Sequence, residues 1–299
     1  LKRNANIKVV SLDEPINYYV NIDFEKLDLT VYENALRACE GMDFVFHLAG
    51  VKGSTQMSIT KPLDFFLPMI RFNTNMMEAS FRQNVNWYLY TSSVGVYSPS
   101  KLMIEDDVWN TFPSENDKLP GWAKRIGELQ AEGYKIQHKV DNISIVRPAN
   151  VYGNWDNFDL KSSMVIPSLI RKAENAGIDG ILEVWGDGSP IRDFIHARDV
   201  ARGMIHAVEK KITRPLNLGC GKGVSIKNIA NIIAKRFGAK VKYDKTKPNG
   251  DGIRLLDMKR MFNSGFNLTI DIKSGIEETI DWYLINKNNI NHQHNSFLK

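Results

Sequence analysis

Leu119-Pro-Gly-Trp-Ala-Lys-Arg-Ile-Gly-Glu-Leu129 is the stretch that decides the fold, together with Thr91-Ser-Ser-Val-Gly-Val-Tyr97 upstream of it. The first reads as the start of a helix that presents Lys124, the second as the end of a strand that presents Ser93. Such a strand and helix set a hydroxyl and an ammonium together at the mouth of an α/β sheet. That layout suits hydride transfer at a carbinol, where an oxygen must gain or lose a proton as its carbon exchanges a hydride.

Outward from this pair, strands and helices alternate. Trp87-Tyr-Leu-Tyr-Thr-Ser92 is a strand, Pro62 to Asn84 a long helix, and Asn142-Ile-Ser-Ile-Val-Arg-Pro148 a further strand. Met42-Asp-Phe-Val-Phe-His-Leu-Ala-Gly50 is a near-continuous apolar run, the pattern of a strand buried on both faces of a parallel sheet. Its small residues Ala49 and Gly50 let a ligand approach the backbone at the carboxyl end, where open α/β sheets bind. His47 is expected to be a hydrogen-bonded residue near the strand end rather than a catalyst. Residues 1–13 read as the tail of a helix and a strand ending at Asp13. An acidic residue there holds the adenosine ribose hydroxyls of a dinucleotide and repels a 2′-phosphate, which favours NAD over NADP. The strand and glycine-rich turn that such a unit places before Asp13 are not in these 299 residues, so the first βα unit is expected to be missing from the chain.

After Pro148 the texture changes. Residues 150–158 are polar and loop-like. A helix over 165–175 and a strand over 181–185 follow, and Gly186-Asp-Gly188 reads as a tight turn into a return strand ending at His196. Helices are expected over 199–209, 226–237 with Ser225 as N-cap, and 272–284, with a short strand at 215–218 and a loop over 245–254. The expected class is therefore α/β: a Rossmann-type doubly wound parallel sheet with a smaller C-terminal α+β substrate-binding domain. Residues 1–150 form the dinucleotide-binding half, N-terminally incomplete, 151–285 mainly the substrate-binding part, and 286–299 a frayed tail whose His292 and His294 are solvated rather than metal-binding.

Composition sets bounds on function. Hydrophobic residues make up 43% and charged residues 24%, enough for a packed core. The net charge of +5 suits an anionic substrate such as a nucleotide, but the basic residues are scattered rather than striped, which disfavours nucleic acid. Cys39 and Cys220 lie far apart with no disulfide or metal spacing, and no metal site is expected. No apolar run reaches the roughly 18 residues of a membrane span, and a soluble cytoplasmic protein is expected.

Five motifs in order resemble the extended short-chain dehydrogenase/reductase family of NAD-dependent nucleotide-sugar epimerases, dehydratases and reductases: His47-Leu-Ala-Gly50, Thr91 to Tyr97, Gly121 to Glu128, Arg147-Pro-Ala-Asn-Val-Tyr-Gly153, and Gly186 to His196 with Asp199-Val200. Val165 to Arg171, Thr246 to Gly250 and Arg254 to Asp257 are most similar to the GDP-fucose synthase branch. The resemblance implies NAD held by Asp13, Asp28, Leu29, Leu48, Ala49, Gly50 and Lys124, catalysis by Ser93 and Lys124, and a nucleotide-diphosphate sugar bound by Asn150, Arg192 and Arg254. Guanidinium groups suit the two arginine positions because they bond phosphate oxygens in pairs. It further implies a homodimer through the helices around Phe65–Phe81 and Lys124–Lys139.

The pattern is broken at one catalytic position. The family's general acid/base is a tyrosine four residues before the lysine, and here that residue is Pro120. The branch's proton-moving cysteine and histidine are matched by Gly95 and Met164, which does not support its double epimerisation. Asp117, Glu115 or a water relayed through Ser93 and Lys124 remain as proton carriers, while Tyr97 matches a family tyrosine that is not the base. Three readings stay open: an NAD-dependent enzyme acting on a nucleotide sugar, an impaired relative that binds NAD or the sugar as a regulatory or scaffolding module, and a nucleic-acid-binding relative of the same fold, with the net charge of +5 as its only support.

Overall fold

The computed structural model describes residues 4–13, 22–51, 53, 57, 60–247 and 249–292. The first elements are β1 (Lys8–Ser11), β2 (Asp23–Lys26), α1 (Tyr32–Cys39), β3 (Phe44–His47), α2 (Pro62–Arg82), β4 (Trp87–Thr91), β5 (Ser100–Met103), α3 (Lys118–His138), β6 (Ile143–Pro148) and β7 (Asn150–Tyr152). There follow α4 (Val165–Ala176), β8 (Ile181–Trp185), β9 (Ile191–His196), α5 (Ala197–Glu209), β10 (Leu216–Leu218), β11 (Gly223–Ser225), α6 (Ile226–Phe237), β12 (Lys240–Asp244), β13 (Ile253–Leu256), α7 (Lys259–Asn263) and α8 (Ile272–Asn286).

The central sheet has the order β10-β6-β4-β3, with every ladder parallel. Helices α2 and α3 pack on each other and α5 lies against β6 and β4, the layering of the expected doubly wound fold. β4 is buried along Trp87–Tyr90, as an inner parallel strand requires. β3 departs from the expectation for its apolar run: Phe44 is 56% and Phe46 37% exposed, while Val45 and His47 are buried. Among the described residues no ladder joins β3 to the separate parallel pair β1–β2.

The second layer gathers strands from both halves of the chain. Its order is β11-β9-β13-β5, with β7 added along β9. The expected hairpin between β8 and β9 does not form. Gly186 and Gly188 do take the left-handed φ of +76° that a tight turn uses, but β8 leaves to pair with β12 while β9 pairs with β7, β11 and β13. The short strand β7, within the stretch read as a loop, is stitched to β9 by the Asn150 amide, which donates to the Asp193 carbonyl at 2.9 Å. Ser225 caps α6 by accepting from the Asn228 amide at 3.2 Å. Residues 4–7 are not helical, and residues 1–3, Pro248 and His294 lie outside the described residues.

Candidate active site

The turn after β4 is where α3 comes closest to the sheet. Ser93 Oγ accepts from the Gly95 amide at 3.0 Å, folding residues 94–96 into a single 3-10 turn. Gly121 of α3 lies on this turn so tightly that a Cβ would overlap the Gly95 carbonyl oxygen and press on Pro113. The glycine thereby lets the helix start against the turn and fixes how Lys124, one turn later, enters the site.

Lys124 is only 7% exposed, and its ammonium donates to the Thr91 carbonyl at 2.8 Å, two residues before Ser93. Its Nζ also stands 5.4 Å from the centre of the Tyr90 ring. Burial pushes its pKa down to about 8, with Glu128 acting in the opposite direction. Lys124 is thus a cation at neutral pH held in an unfavourable place, a state that functional sites maintain at a cost in stability. Below pH 8 both folded and unfolded chains carry the charge and the full penalty applies. Between about pH 8 and 10.5 the folded chain sheds its proton first, so stability from this group rises with pH. The Lys124→Met variant is accordingly expected to be more stable than wild type at pH 7 by about 1–2 kcal/mol, since the charge penalty of about 3 kcal/mol is offset by the lost Thr91 bond. Thermal melts at pH 7 and pH 10 check this, with the gap narrowing at the higher pH.

Beneath the site lies a buried polar network. Arg147, fully buried, makes two parallel bonds to Glu128, from Nε to Oε1 at 3.0 Å and from Nη2 to Oε2 at 2.6 Å. Its Nη1 donates to the Tyr97 hydroxyl at 2.9 Å and to the Glu105 carbonyl at 2.8 Å. Ser92 donates to Glu128 at 2.5 Å, and Tyr97 donates to Asn217 Oδ1 at 2.5 Å. Burial pushes the Tyr97 phenol well up, so this tyrosine serves the network and is no base. His47, bonded to Asn73 at 2.9 Å, is held down to about 3 by burial and by the Lys124 charge, hence neutral.

The dinucleotide edge is partly formed. Leu48 is 60% exposed at the carboxyl end of β3, and among the described residues nothing stands within 4 Å of where Gly50 would carry a Cβ. The buried Thr91 Oγ1 has no hydrogen-bond partner among the described residues. These open and unsatisfied groups at strand carboxyl ends fit a nicotinamide riboside beside Lys124. Ala49 packs under them, against the cluster of Phe65, Met69 and Phe72. Asp28 is engaged locally, its Oδ1 accepting from the Thr30 amide and hydroxyl at 2.9 and 2.7 Å, while the Leu29 carbonyl accepts from Asn75 at 3.1 Å. The Asp13 amide donates to Ser11 Oγ at 3.1 Å, just past β1.

The other side of the site comes from the second layer. Parallel pairing of β9 and β13 puts Arg192 and Arg254 side by side in register. Arg254, 9% exposed, has Nη2 at 2.5 Å from Asp117 Oδ2 and Nε at 3.0 Å from Asp251 Oδ2. Arg192 donates to its neighbour's Ile191 carbonyl at 2.9 Å, and burial followed by the Arg254 charge lowers its pKa. Asn150 lies in register with Phe194, two residues beyond Arg192. The Asp117 and Asp251 contacts to Arg254 were not foreseen from the sequence, since Asp251 falls in a stretch read only as a loop.

Ser93 in the turn after β4, the buried Lys124 on α3 and the in-register Arg192 and Arg254 are the polar groups of this candidate site. The chain belongs to the NAD dependent epimerase/dehydratase family, which matches residues 2–219. It is 31% identical over 270 residues to a putative GDP-L-fucose synthase 2 of Arabidopsis thaliana, covering 87% of this chain and 82% of that protein. It is also 31% identical over 266 residues to the GDP-L-fucose synthase of Escherichia coli, covering 84% of this chain and 83% of the relative. In structure it resembles a GDP-L-fucose synthetase from Naegleria fowleri bound to NADP, with a TM-score of 0.79 at 21% identity over 90% of this chain and 87% of that one. The family identification agrees with the resemblance read from the five motifs. Among the described residues no helix is long and apolar enough to cross a membrane.

Proposed function

We propose that this chain binds a nucleotide-diphosphate sugar of the GDP type and a nicotinamide dinucleotide, and that the pair supports epimerase, dehydratase or reductase chemistry at a sugar carbinol. The observation that carries this is the in-register pair Arg192 and Arg254, with Asp117 ion-paired to Arg254 and lying beside Gly95, two residues after Ser93. The dinucleotide, when bound, takes or returns a hydride at the sugar carbon. Ser93 would hydrogen-bond the carbinol oxygen, Lys124 would hold the nicotinamide ribose, and Arg192 and Arg254 would hold the diphosphate, with Asn150 near the sugar and its first phosphate. Leu48, Ala49 and Gly50 would border the cofactor, with Asp28 and Leu29 on the adenosine side. Asp13 favours NAD through repulsion of a 2′-phosphate, whereas the Naegleria relative is described with NADP, so affinity for the two must be compared directly. In this reading residues 1–150 serve mainly the cofactor and 151–285 mainly the sugar, in a soluble cytoplasmic homodimer built on α2 and α3. Those helices expose Leu63, Leu67, Leu129 and Ile136, apolar groups that suit such a contact.

Pro120 favours a second reading, binding without turnover. Titration with NAD, NADP and a panel of GDP-, UDP- and dTDP-sugars, followed by nicotinamide absorbance and product analysis, separates the two. Turnover of a GDP-sugar is the expected outcome of the first reading. Tight binding with no product leaves the second, and no affinity for any nucleotide sugar or for NAD or NADP eliminates both.

A further inference from the structure

We propose that Asp117 is a counter-ion standing in for the substrate's diphosphate on Arg254, so that the segment Ser114–Asp117 straps the anion site until a diphosphate displaces it. This rests on the reading of Arg192 and Arg254 as diphosphate contacts and adds to it a competing group from the other half of the molecule.

Two guanidiniums fixed in register on adjacent strands repel each other, and one of them is nine-tenths buried, so the pair requires an anion nearby. In this structure the anion is supplied by Asp117 and Asp251. Both carboxylates lie within ion-pair distance, yet Arg254 Nε and Nη2 make no hydrogen bond of good geometry to them. Asp117 and Asp251 therefore neutralise the guanidinium without satisfying its fork, which leaves directed donors for phosphate oxygens.

Asp117 also stands on the route a sugar would take. The point where Gly95 would carry a Cβ is 3.4 Å from Ser93 Oγ and 3.6 Å from Asp117 Cβ. A side chain at position 95 would press on Asp117; glycine there leaves the carboxylate its place between Ser93 and Arg254. The strap is fastened to the second layer by Ser114 Oγ and Asn116 Nδ2, which donate to the two Asp251 oxygens at 3.0 and 2.9 Å. Release is inexpensive for the helix behind it. Asp117 occupies the N-cap position of α3 without a side-chain cap bond, and its side chain is 31% exposed. A diphosphate brings more negative charge than one carboxylate and matches the arginine fork, so the exchange keeps the arginine pair facing an anion and improves the hydrogen bonding.

Isothermal titration of the full chain with GDP tests this without cofactor or turnover. Asp117→Asn keeps the shape and removes the competing charge, and GDP affinity is expected to rise about tenfold, the effect of losing one such competing contact. Arg192→Gln is expected to lose GDP binding. Amide hydrogen exchange on the wild-type protein needs no variant: saturating GDP is expected to speed exchange at the Asp117 amide, which donates to the Ser114 carbonyl at 2.9 Å. If wild type binds GDP while Asp117→Asn binds no tighter, or if exchange at Asp117 slows on binding, the strap is overturned and the diphosphate reading stands. If neither wild type nor Asp117→Asn binds GDP, UDP or dTDP, both are overturned.

Discussion

Glu128→Ala is expected to lower the free energy of unfolding by about 3–5 kcal/mol, a large part of the roughly 5–15 kcal/mol that holds a domain together. Arg147 is fully buried, and both of its bonds to a formal charge end on Glu128. Alanine would leave that guanidinium in the core with only neutral acceptors, the Tyr97 hydroxyl and the Glu105 carbonyl. It would also free Ser92, which Glu128 holds at 2.5 Å next to Ser93, so catalytic geometry should loosen along with the fold. Urea unfolding followed by circular dichroism measures the loss. Replacing both partners by apolar residues, Glu128→Leu with Arg147→Met, is expected to recover most of it, because no charge is then left buried and unpaired. A double variant as unstable as Glu128→Ala would show that the neutral bonds, not the charge pair, carry the energy.

If the proposed function holds, Pro120→Tyr is expected to raise turnover of the proposed GDP-sugar substrate by about 10²–10⁴-fold, the usual worth of a positioned general acid/base. Position 120 lies four residues before Lys124, one helical turn away on the same face of α3. A phenol there would meet an ammonium whose pKa of about 8 keeps it charged at neutral pH, the condition for lowering a tyrosine pKa. The third position of a helix has no intrahelical partner for its amide, so exchanging proline costs little backbone order. Nicotinamide absorbance with the GDP-sugar panel reads the gain, and Lys124→Met in the same background is expected to abolish it. No gain in Pro120→Tyr would mean that proton transfer is already supplied by another group or does not limit the rate.

Much of the fold was legible because its signals are local. The apolar run Trp87–Tyr90, the helical span after Pro62 and the cap at Ser225 each declare their element through periodicity or a single hydrogen bond. The Ser93 and Lys124 frame was legible for the same reason, since one turn and one helix set it. The failures are non-local. Phe44 and Phe46 look like inner-strand residues, and their exposure depends on what does or does not pack against β3. The Gly186 and Gly188 turn was read as a hairpin, but the partner of β8 is decided by β12, more than fifty residues later.

The sequence by itself determined the family, the α/β class and the proline four residues before Lys124, because residue identity and spacing carry that information. Only the tertiary structure decided that Arg192 and Arg254 stand in register, that Asp117 and Asp251 neutralise Arg254, and that Arg147 is sealed under the site by Glu128. Asp251 and Arg254 are three residues apart, but the Glu128–Arg147 and Asp117–Arg254 contacts join residues 19 and 137 apart. The energy of a buried charge depends on which opposite charge the folded chain brings within a few ångströms, and no local pattern encodes that distance.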